Sequence, residues 1–198
     1  MLNENIRNYL LCGVGGQGTV LASRIIAEAA MAKGLNAKTA ETIGMAQRGG
    51  SVVSHVRTGK NIASPMVSIG SADVLIGFEP GEAAAKLDFL KEDGILIVCK
   101  QEVKPVTASL GQSAYDGGAS IEFMKKHVKN CFIIDGEAIC RECGSPKVLN
   151  VALVGALCAA DKSLTLEEVE VALALRLKPQ LLEMNKKALR MGAAAVQI

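Results

Sequence analysis

The chain has 198 residues, of which 49% are hydrophobic and 21% charged, and its formal net charge is +2. This length and hydrophobic content suffice for one buried core, so we expect a single folded domain over residues 1–198. Near-neutral charge, the lack of tryptophan and the small number of other aromatic residues all disfavour nucleic-acid binding.

No apolar run approaches the roughly 18 residues that span a bilayer, and the N-terminal residues lack an apolar signal segment. The six cysteines lie mostly within apolar runs, as free thiols do in reducing compartments. We therefore expect a cytoplasmic protein that does not bind membranes.

Strand-like and helical patterns alternate along the first two thirds of the chain. Apolar runs, several rich in β-branched residues, predict strands over 9–14, 36–42, 51–58, 72–78, 94–99 and 131–135. Helical spacing predicts helices over 17–33, from near Pro80, and over 121–129. This alternation predicts a three-layer αβα architecture with a mainly parallel, Rossmann-like sheet.

The last third of the chain reads as helical throughout. Apolar residues recur at helical spacing between Leu149 and Leu157 with almost no charge, which predicts a helix buried on most sides. Thr165 and Glu168 have the spacing of a capping box that begins the next helix. The mean hydropathy of +0.28 also predicts an exposed apolar patch, around residues 148–160, through which the isolated chain would form homo-oligomers.

The first predicted strand runs into a glycine-rich turn with Gly13, Gly15, Gly16, Gln17 and Gly18. Glycine lets a ligand or a backbone approach closely, and the N–H groups of the helix that follows attract anions. The spacing fits a dinucleotide fingerprint, but tight strand–helix packing explains the same turn. An amide at the helix start has no evident packing role, so we expect Gln17 to bind a ligand or a partner.

A second candidate motif follows the second predicted strand and contains Gln47, Arg48, Gly49, Gly50 and Ser51. A guanidinium group beside open backbone N–H groups suits phosphate or carboxylate. The alternative is an ordinary solvated loop. If the sheet is parallel here, this loop and the glycine-rich turn share one carboxyl edge and form one cleft.

Three further features leave alternatives open. His55 lies within a predicted strand, where a hydrogen-bonded structural role is more common than a catalytic one. Cys140 and Cys143 have C-x-x-C spacing, but a structural zinc site needs four ligands, so a redox pair is the remaining functional reading. Glu41 follows Gly13 by 28 residues, beyond the roughly 20 usual for the ribose-binding acid of an NAD site.

Two motifs together, G-x-G-G-Q-G over 13–18 and Q-R-G-G-S over 47–51, resemble the gamma domain of the 2-oxoacid:ferredoxin oxidoreductases. The likeness extends to residues 40–46 and 53–57, and within the family it is greatest to the indolepyruvate-oxidising members. The resemblance implies oxidative decarboxylation of an aryl pyruvate or another 2-oxoacid, with coenzyme A as acyl acceptor and ferredoxin as electron acceptor.

That chemistry requires thiamine diphosphate with Mg²⁺, and iron–sulfur clusters. The chain has neither binding motif. The resemblance therefore implies an accessory subunit without catalytic or metal-binding residues, whose larger catalytic alpha subunit carries these cofactors. Coenzyme A is then a candidate shared ligand of the predicted cleft. The alternative is a self-contained nucleotide- or NAD(P)-binding Rossmann-like protein.

Overall fold

The computed structural model describes residues 6–43, 49–104 and 115–196. These residues form a six-stranded sheet with helices on both faces. The strands are β1 (Arg7–Val14), β2 (Asn36–Ile43), β3 (Ser51–Gly59), β4 (Ala72–Gly77), β5 (Leu90–Cys99) and β6 (Asn130–Ile134). The helices are α1 (Thr19–Ala32), α2 (Pro80–Ala84), α3 (Gly117–His127), α4 (Gly136–Cys143), α5 (Leu149–Asp161), α6 (Leu166–Arg176) and α7 (Pro179–Ala194), with single 3₁₀ turns over Leu87–Phe89 and Pro146–Val148.

The strand order is β2-β3-β1-β4-β5-β6. Strands β1, β4, β5 and β6 pair in parallel, whereas β3 lies antiparallel between β1 and β2. The predicted three-layer α/β fold is thus confirmed, with a mixed sheet. The antiparallel part arises because β2 and β3 form a hairpin, whereas parallel neighbours need a longer crossover.

Alternate residues of the central strands enter two separate apolar clusters, because successive side chains of a strand point to opposite faces. Leu11 and Ile97 face helices α1 and α4–α7, which we call the five-helix face. Leu10 and Leu96 face α2 and α3, which we call the two-helix face.

Helix α5 is the most deeply buried helix of the five-helix face. All its residues from Leu149 to Cys158 are buried, which confirms the predicted burial. The expectation that this region exposes an apolar patch is wrong, because α7 covers it: Gly192 lies against the Ala152 carbonyl and Gly155 against the Leu189 carbonyl. Among the described residues, the exposed large apolar side chains are elsewhere, at Met31, Met66, Ile69, Phe123, Val171, Leu175 and Leu181.

Local signals account for most boundaries. The predicted capping box of Thr165 and Glu168 begins α6 with both of its hydrogen bonds. Helix α4 was not predicted, although Asp135 caps its start and Gly144, with φ of 75°, follows its end. Among the residues described, no helix is both long and apolar enough to cross a membrane.

Candidate functional site

The carboxyl ends of β1, β4, β5 and β6 lie at one edge of the sheet. After β1 the chain enters α1 on the five-helix face, and after β4 it enters α2 on the two-helix face. The two connections diverge between β1 and β4, which is the position where open α/β sheets bind ligands. The glycine-rich turn lies at this position.

The backbone of the turn requires glycine at two positions. Gly16 has φ of 105° and Gly18 has φ of 87°, in the left-handed region that other residues rarely adopt. A Cβ at Gly16 would meet only open space. Gly18 is the N-cap of α1, which has neither a capping side chain nor an acidic residue in its first turn. The N-terminus of α1 is therefore available to an anion.

The side chain of Gln17 forms hydrogen bonds with the protein's own backbone. Its Oε1 accepts from the Val14 N–H at 2.7 Å, and its Nε2 donates to the Phe78 carbonyl at 3.0 Å. A Cβ at Gly13 would lie 2.7 Å from both Gln17 Oε1 and Phe78 Cβ, so Gly13 gives the amide its room. The premise that Gln17 has no packing role is wrong, since its side chain joins the ends of β1 and β4.

The loop after β2 reaches the glycine-rich turn, as expected. The Gly15 N–H donates to the Gly50 carbonyl at 2.8 Å. Strand β2 runs in the same direction as β1, because both pair antiparallel with β3, so its carboxyl end lies at this edge as predicted. Gln47 and Arg48 lie outside the described residues.

The other two predicted residues of this loop have separate roles. Gly49 adopts φ of 81°, as a tight turn requires. The Ser51 hydroxyl donates to Glu82 Oε2 at 2.5 Å, which connects the start of β3 to the first turn of α2. The hydroxyl thus contacts a helix of the two-helix face.

A cleft of about 480 Å³ opens beside the turn, within the size range of small-molecule sites. The turn contributes Gly16, Gln17 and Gly18, while the other walls come from distant parts of the chain. These other lining residues are Gln101, Val103, Pro146, Lys147, Leu149 and Asn150.

Two polar lining residues, Lys147 and Asn150, were not predicted as site residues. Lys147 is exposed, and it is the positively charged side chain among the described residues that line the cleft. Asn150 is 3% exposed, and a Cβ at Gly18 would lie 2.8 Å from its Nδ2. An asparagine within the uncharged apolar run of α5 was the available sequence signal.

Glu79, which was also not predicted, is buried between β4 and α2, where it is the N-cap of α2. Its Oε2 accepts from the Glu82 N–H at 2.9 Å, and the Tyr115 hydroxyl donates to its Oε1. Burial raises the pKa of this carboxyl, although backbone N–H donors oppose the effect.

His55 and the cysteine pair lie away from the cleft lining. The Nδ1 of His55 accepts from the Val67 N–H at 3.2 Å, which supports the structural reading, and burial lowers its pKa. Cys140 and Cys143 are free thiols on α4, and burial raises the pKa of both. In the described part of the chain, no group of three or more His, Cys, Asp or Glu residues could hold a metal ion.

The mixed sheet, the glycine-rich turn and the helical last third place the chain among three-layer α/β proteins. Comparison with known proteins identifies its family. The chain belongs to the pyruvate ferredoxin/flavodoxin oxidoreductase family, whose model matches residues 8–195. It is 38% identical over 187 residues to the indolepyruvate oxidoreductase subunit IorB of Archaeoglobus fulgidus, with 93% of this chain and 92% of that protein covered.

Solved structures show the same fold. The gamma subunit of a keto/oxoacid ferredoxin oxidoreductase from Geobacter sulfurreducens PCA superposes with a TM-score of 0.74 at 24% identity, over 96% of each chain. The fold also matches part of a longer protein, the 2-oxoglutarate:ferredoxin oxidoreductase from Magnetococcus marinus, with a TM-score of 0.72 and 18% identity. The match covers 98% of this chain and 31% of the longer one. These relationships do not favour the alternative of a self-contained NAD(P)-binding protein.

Proposed function

We propose that this chain is the accessory, gamma-type subunit of an indolepyruvate:ferredoxin oxidoreductase, which converts an aryl pyruvate to its acyl-coenzyme A. The observation that carries the proposal is the identity of 38%, over nearly the full length of both chains, to a subunit named for indolepyruvate. A larger alpha subunit would hold thiamine diphosphate, Mg²⁺ and the iron–sulfur clusters, and ferredoxin would be reduced through the complex. The free state of all six cysteines supports a cytoplasmic location.

The role proposed for the cleft is to hold a phosphate-bearing part of coenzyme A. Three observations support it: the uncapped N-terminus of α1, the open space beside Gly16 and Lys147 in the lining. Helix N-termini and lysines both attract phosphate. The chain would thus bind and orient the acyl acceptor, while its partner supplies the redox chemistry.

For the isolated chain we propose self-association through exposed apolar side chains. Leu175 is 75% exposed and Ile69 is 69% exposed, which favours contact with another protein surface. Light scattering over a concentration series, with and without the alpha subunit, measures this directly. A strictly monomeric chain at high concentration would contradict it.

The subunit assignment is tested by co-expressing this chain with the alpha subunit and assaying aryl pyruvates, coenzyme A and a viologen dye. We expect turnover only when both subunits are present, with aryl pyruvates preferred over pyruvate. Turnover by this chain alone, or full turnover by the alpha subunit alone, would contradict the proposal.

The coenzyme A site is tested in the same complex with Lys147→Ala. We expect the KM for coenzyme A to rise roughly tenfold with kcat nearly unchanged, because a charge-assisted contact to phosphate is lost. Lys126→Ala, which removes an exposed lysine of α3, is the matched control. Equal KM values in the two variants would place coenzyme A elsewhere.

A further inference from the structure

The cleft lies between the N-termini of α1 and α5, and Asn150 contacts both. It is the second residue of α5 and lines the cleft together with Gly18, the N-cap of α1. A Cβ added at Gly18 would lie 2.8 Å from Asn150 Nδ2, 3.2 Å from its Cγ and 3.3 Å from its Cβ. The amide of Asn150 therefore lies directly against the backbone from which α1 begins.

The first turn of α5 fixes the orientation of the Asn150 amide. Its Oδ1 accepts a hydrogen bond from the Val151 N–H at 2.9 Å, one of the backbone donors that a helix leaves without an internal partner. Only the oxygen can face this N–H group, because the amide nitrogen is a donor and accepts no hydrogen bond. The side of the amide that faces Gly18 is thus the donor Nδ2.

The Nδ2 group of Asn150 donates to no acceptor among the described residues, although the residue is only 3% exposed. It is not sealed within the core either. In the described part of the chain, the fully enclosed polar atoms without a partner belong to Glu28, Ser54 and Asp161. The remaining exposure of Nδ2 is therefore toward the cleft that Asn150 lines. A buried donor without an acceptor is costly, and a ligand in the cleft would supply the acceptor.

The surroundings of Nδ2 favour an acceptor with negative charge. Neither α1 nor α5 has a capping side chain at its N-cap or an acidic residue in its first turn, so the partial positive charge of both helix N-termini is uncompensated. Lys147 adds a full positive charge, and no carboxylate is among the described residues of the lining. A phosphate oxygen carries negative charge and accepts hydrogen bonds, so it matches these features.

We propose that Asn150 is a ligand-binding residue, whose Nδ2 donates a hydrogen bond to a phosphate oxygen held at the N-terminus of α1. Because its Oδ1 is bonded to the Val151 N–H, the side chain presents only a donor and selects an acceptor at this point of the cleft. The inference rests on the proposed function of the cleft as the coenzyme A site, and it adds the side chain that recognises phosphate.

The decisive variant is Asn150→Asp. A carboxylate of nearly the same shape still accepts from the Val151 N–H, but it replaces the donor with a negatively charged oxygen that repels phosphate. Asn150→Ala removes the donor without adding a charge. Asn61→Asp is the matched control, because it adds the same charge at an exposed asparagine outside the described lining of the cleft.

The melting temperature of the free chain, with and without inorganic pyrophosphate, tests the anion site independently of coenzyme A. Without pyrophosphate we expect Asn150→Asp to melt no lower than wild type, since its carboxylate lies at two helix N-termini that favour negative charge. Pyrophosphate at about 10 mM should raise the melting temperature of wild type and Asn61→Asp by about 3 °C, and that of Asn150→Asp by under about 1 °C.

A structural role for Asn150 predicts a different result. Asn150→Asp would then melt more than about 5 °C below wild type without pyrophosphate, and Asn150→Ala would keep the full response to pyrophosphate. That pair of results would overturn the inference.

The KM for coenzyme A, measured in the complex with the alpha subunit, tests the role of Asn150 in the proposed reaction. We expect a rise of roughly thirtyfold or more in Asn150→Asp and roughly tenfold in Asn150→Ala, with kcat changed much less and no rise in Asn61→Asp. Coenzyme A carries a diphosphate and a 3′-phosphate, and dephospho-coenzyme A, which lacks the latter, distinguishes the two. Asn150→Ala raises the KM for dephospho-coenzyme A if Asn150 binds the diphosphate, and leaves it unchanged if Asn150 binds the 3′-phosphate.

Lys147→Ala separates failure of the inference from failure of the proposed function. If Lys147→Ala raises the KM for coenzyme A and neither Asn150 variant does, the cleft remains the coenzyme A site and the role of Asn150 is overturned. If none of the three variants changes this KM, coenzyme A binds elsewhere and the proposed function of the cleft fails, whatever the response to pyrophosphate.

Discussion

The two faces of the sheet are covered differently. The five-helix face packs against long helices, with α5 buried beneath α7. The two-helix face has the short α2, the more exposed α3 and an irregular segment between β3 and β4. Buried polar side chains hold these weaker elements, since His55 binds the backbone of Val67 and Glu79 binds that of Glu82. We infer that the five-helix face provides most of the stability, whereas polar contacts on the other face position its shorter elements near the site.

The largest effect is expected at the crossing of α5 and α7. Gly155→Val should prevent folding, at a cost of about 4 kcal/mol or more, because any side chain there collides with the backbone at Leu189. Soluble yield and denaturant unfolding measure it. Gly34→Ala is the control, since its Cβ would meet open space and only its φ of 81° is unfavourable. Wild-type stability in Gly155→Val would show that the helices do not cross this closely.

Two neighbouring leucines of β1 allow the two faces to be compared directly. Leu11 and Leu10 are both fully buried, on the five-helix and two-helix faces respectively. We expect Leu11→Ala to cost about 4 kcal/mol and Leu10→Ala about 2–3 kcal/mol, because the shorter elements over Leu10 can relax into the cavity. Urea unfolding of both variants shows which substitution causes the larger loss of unfolding free energy. The reverse order would contradict the difference in rigidity that we infer between the faces.

The pH dependence of stability should reflect His55. Burial lowers its pKa from the usual 6.5, so its contribution is present above pH 6.5 and is lost as the pH falls below that value. The raised pKa of Glu79 has the opposite sign: its contribution is present below the ordinary glutamate pKa and is lost as the pH rises through the raised pKa. Melting temperatures between pH 7.5 and 5 should therefore fall less in His55→Asn than in wild type. Parallel curves would show that His55 does not titrate in this range.

The smallest effect is expected for a surface ion pair. Arg176 on α6 lies 2.5 Å from Glu28 on α1, and both side chains are partly solvent exposed. Arg176→Ala should cost under about 1 kcal/mol, since exposed pairs contribute little, and the cost should shrink in high salt. A loss as large as that of Leu10→Ala would show that this pair, and not apolar packing, holds α6 to the five-helix face.

Local patterns in the sequence determined much of this fold. Strand alternation predicted the layers, the uncharged run from Leu149 to Leu157 predicted a buried helix, and Thr165 with Glu168 predicted the start of α6. The spacing of its glycines likewise identified the glycine-rich turn. Each of these features depends on residues within a few positions of one another, so backbone preference and spacing are sufficient.

Only the tertiary structure decided the direction of β3, the hydrogen-bond partners of Gln17 and the residues that form the walls of the cleft. Gln17 binds the carbonyl of Phe78, and the cleft joins its turn to Lys147 and Asn150. A hairpin and a crossover leave similar apolar runs in the sequence, so periodicity cannot distinguish the two directions. The partners of a polar side chain depend on which distant segments the packing brings together. For this reason the sequence identified the turn, whereas the structure identified what lies opposite it.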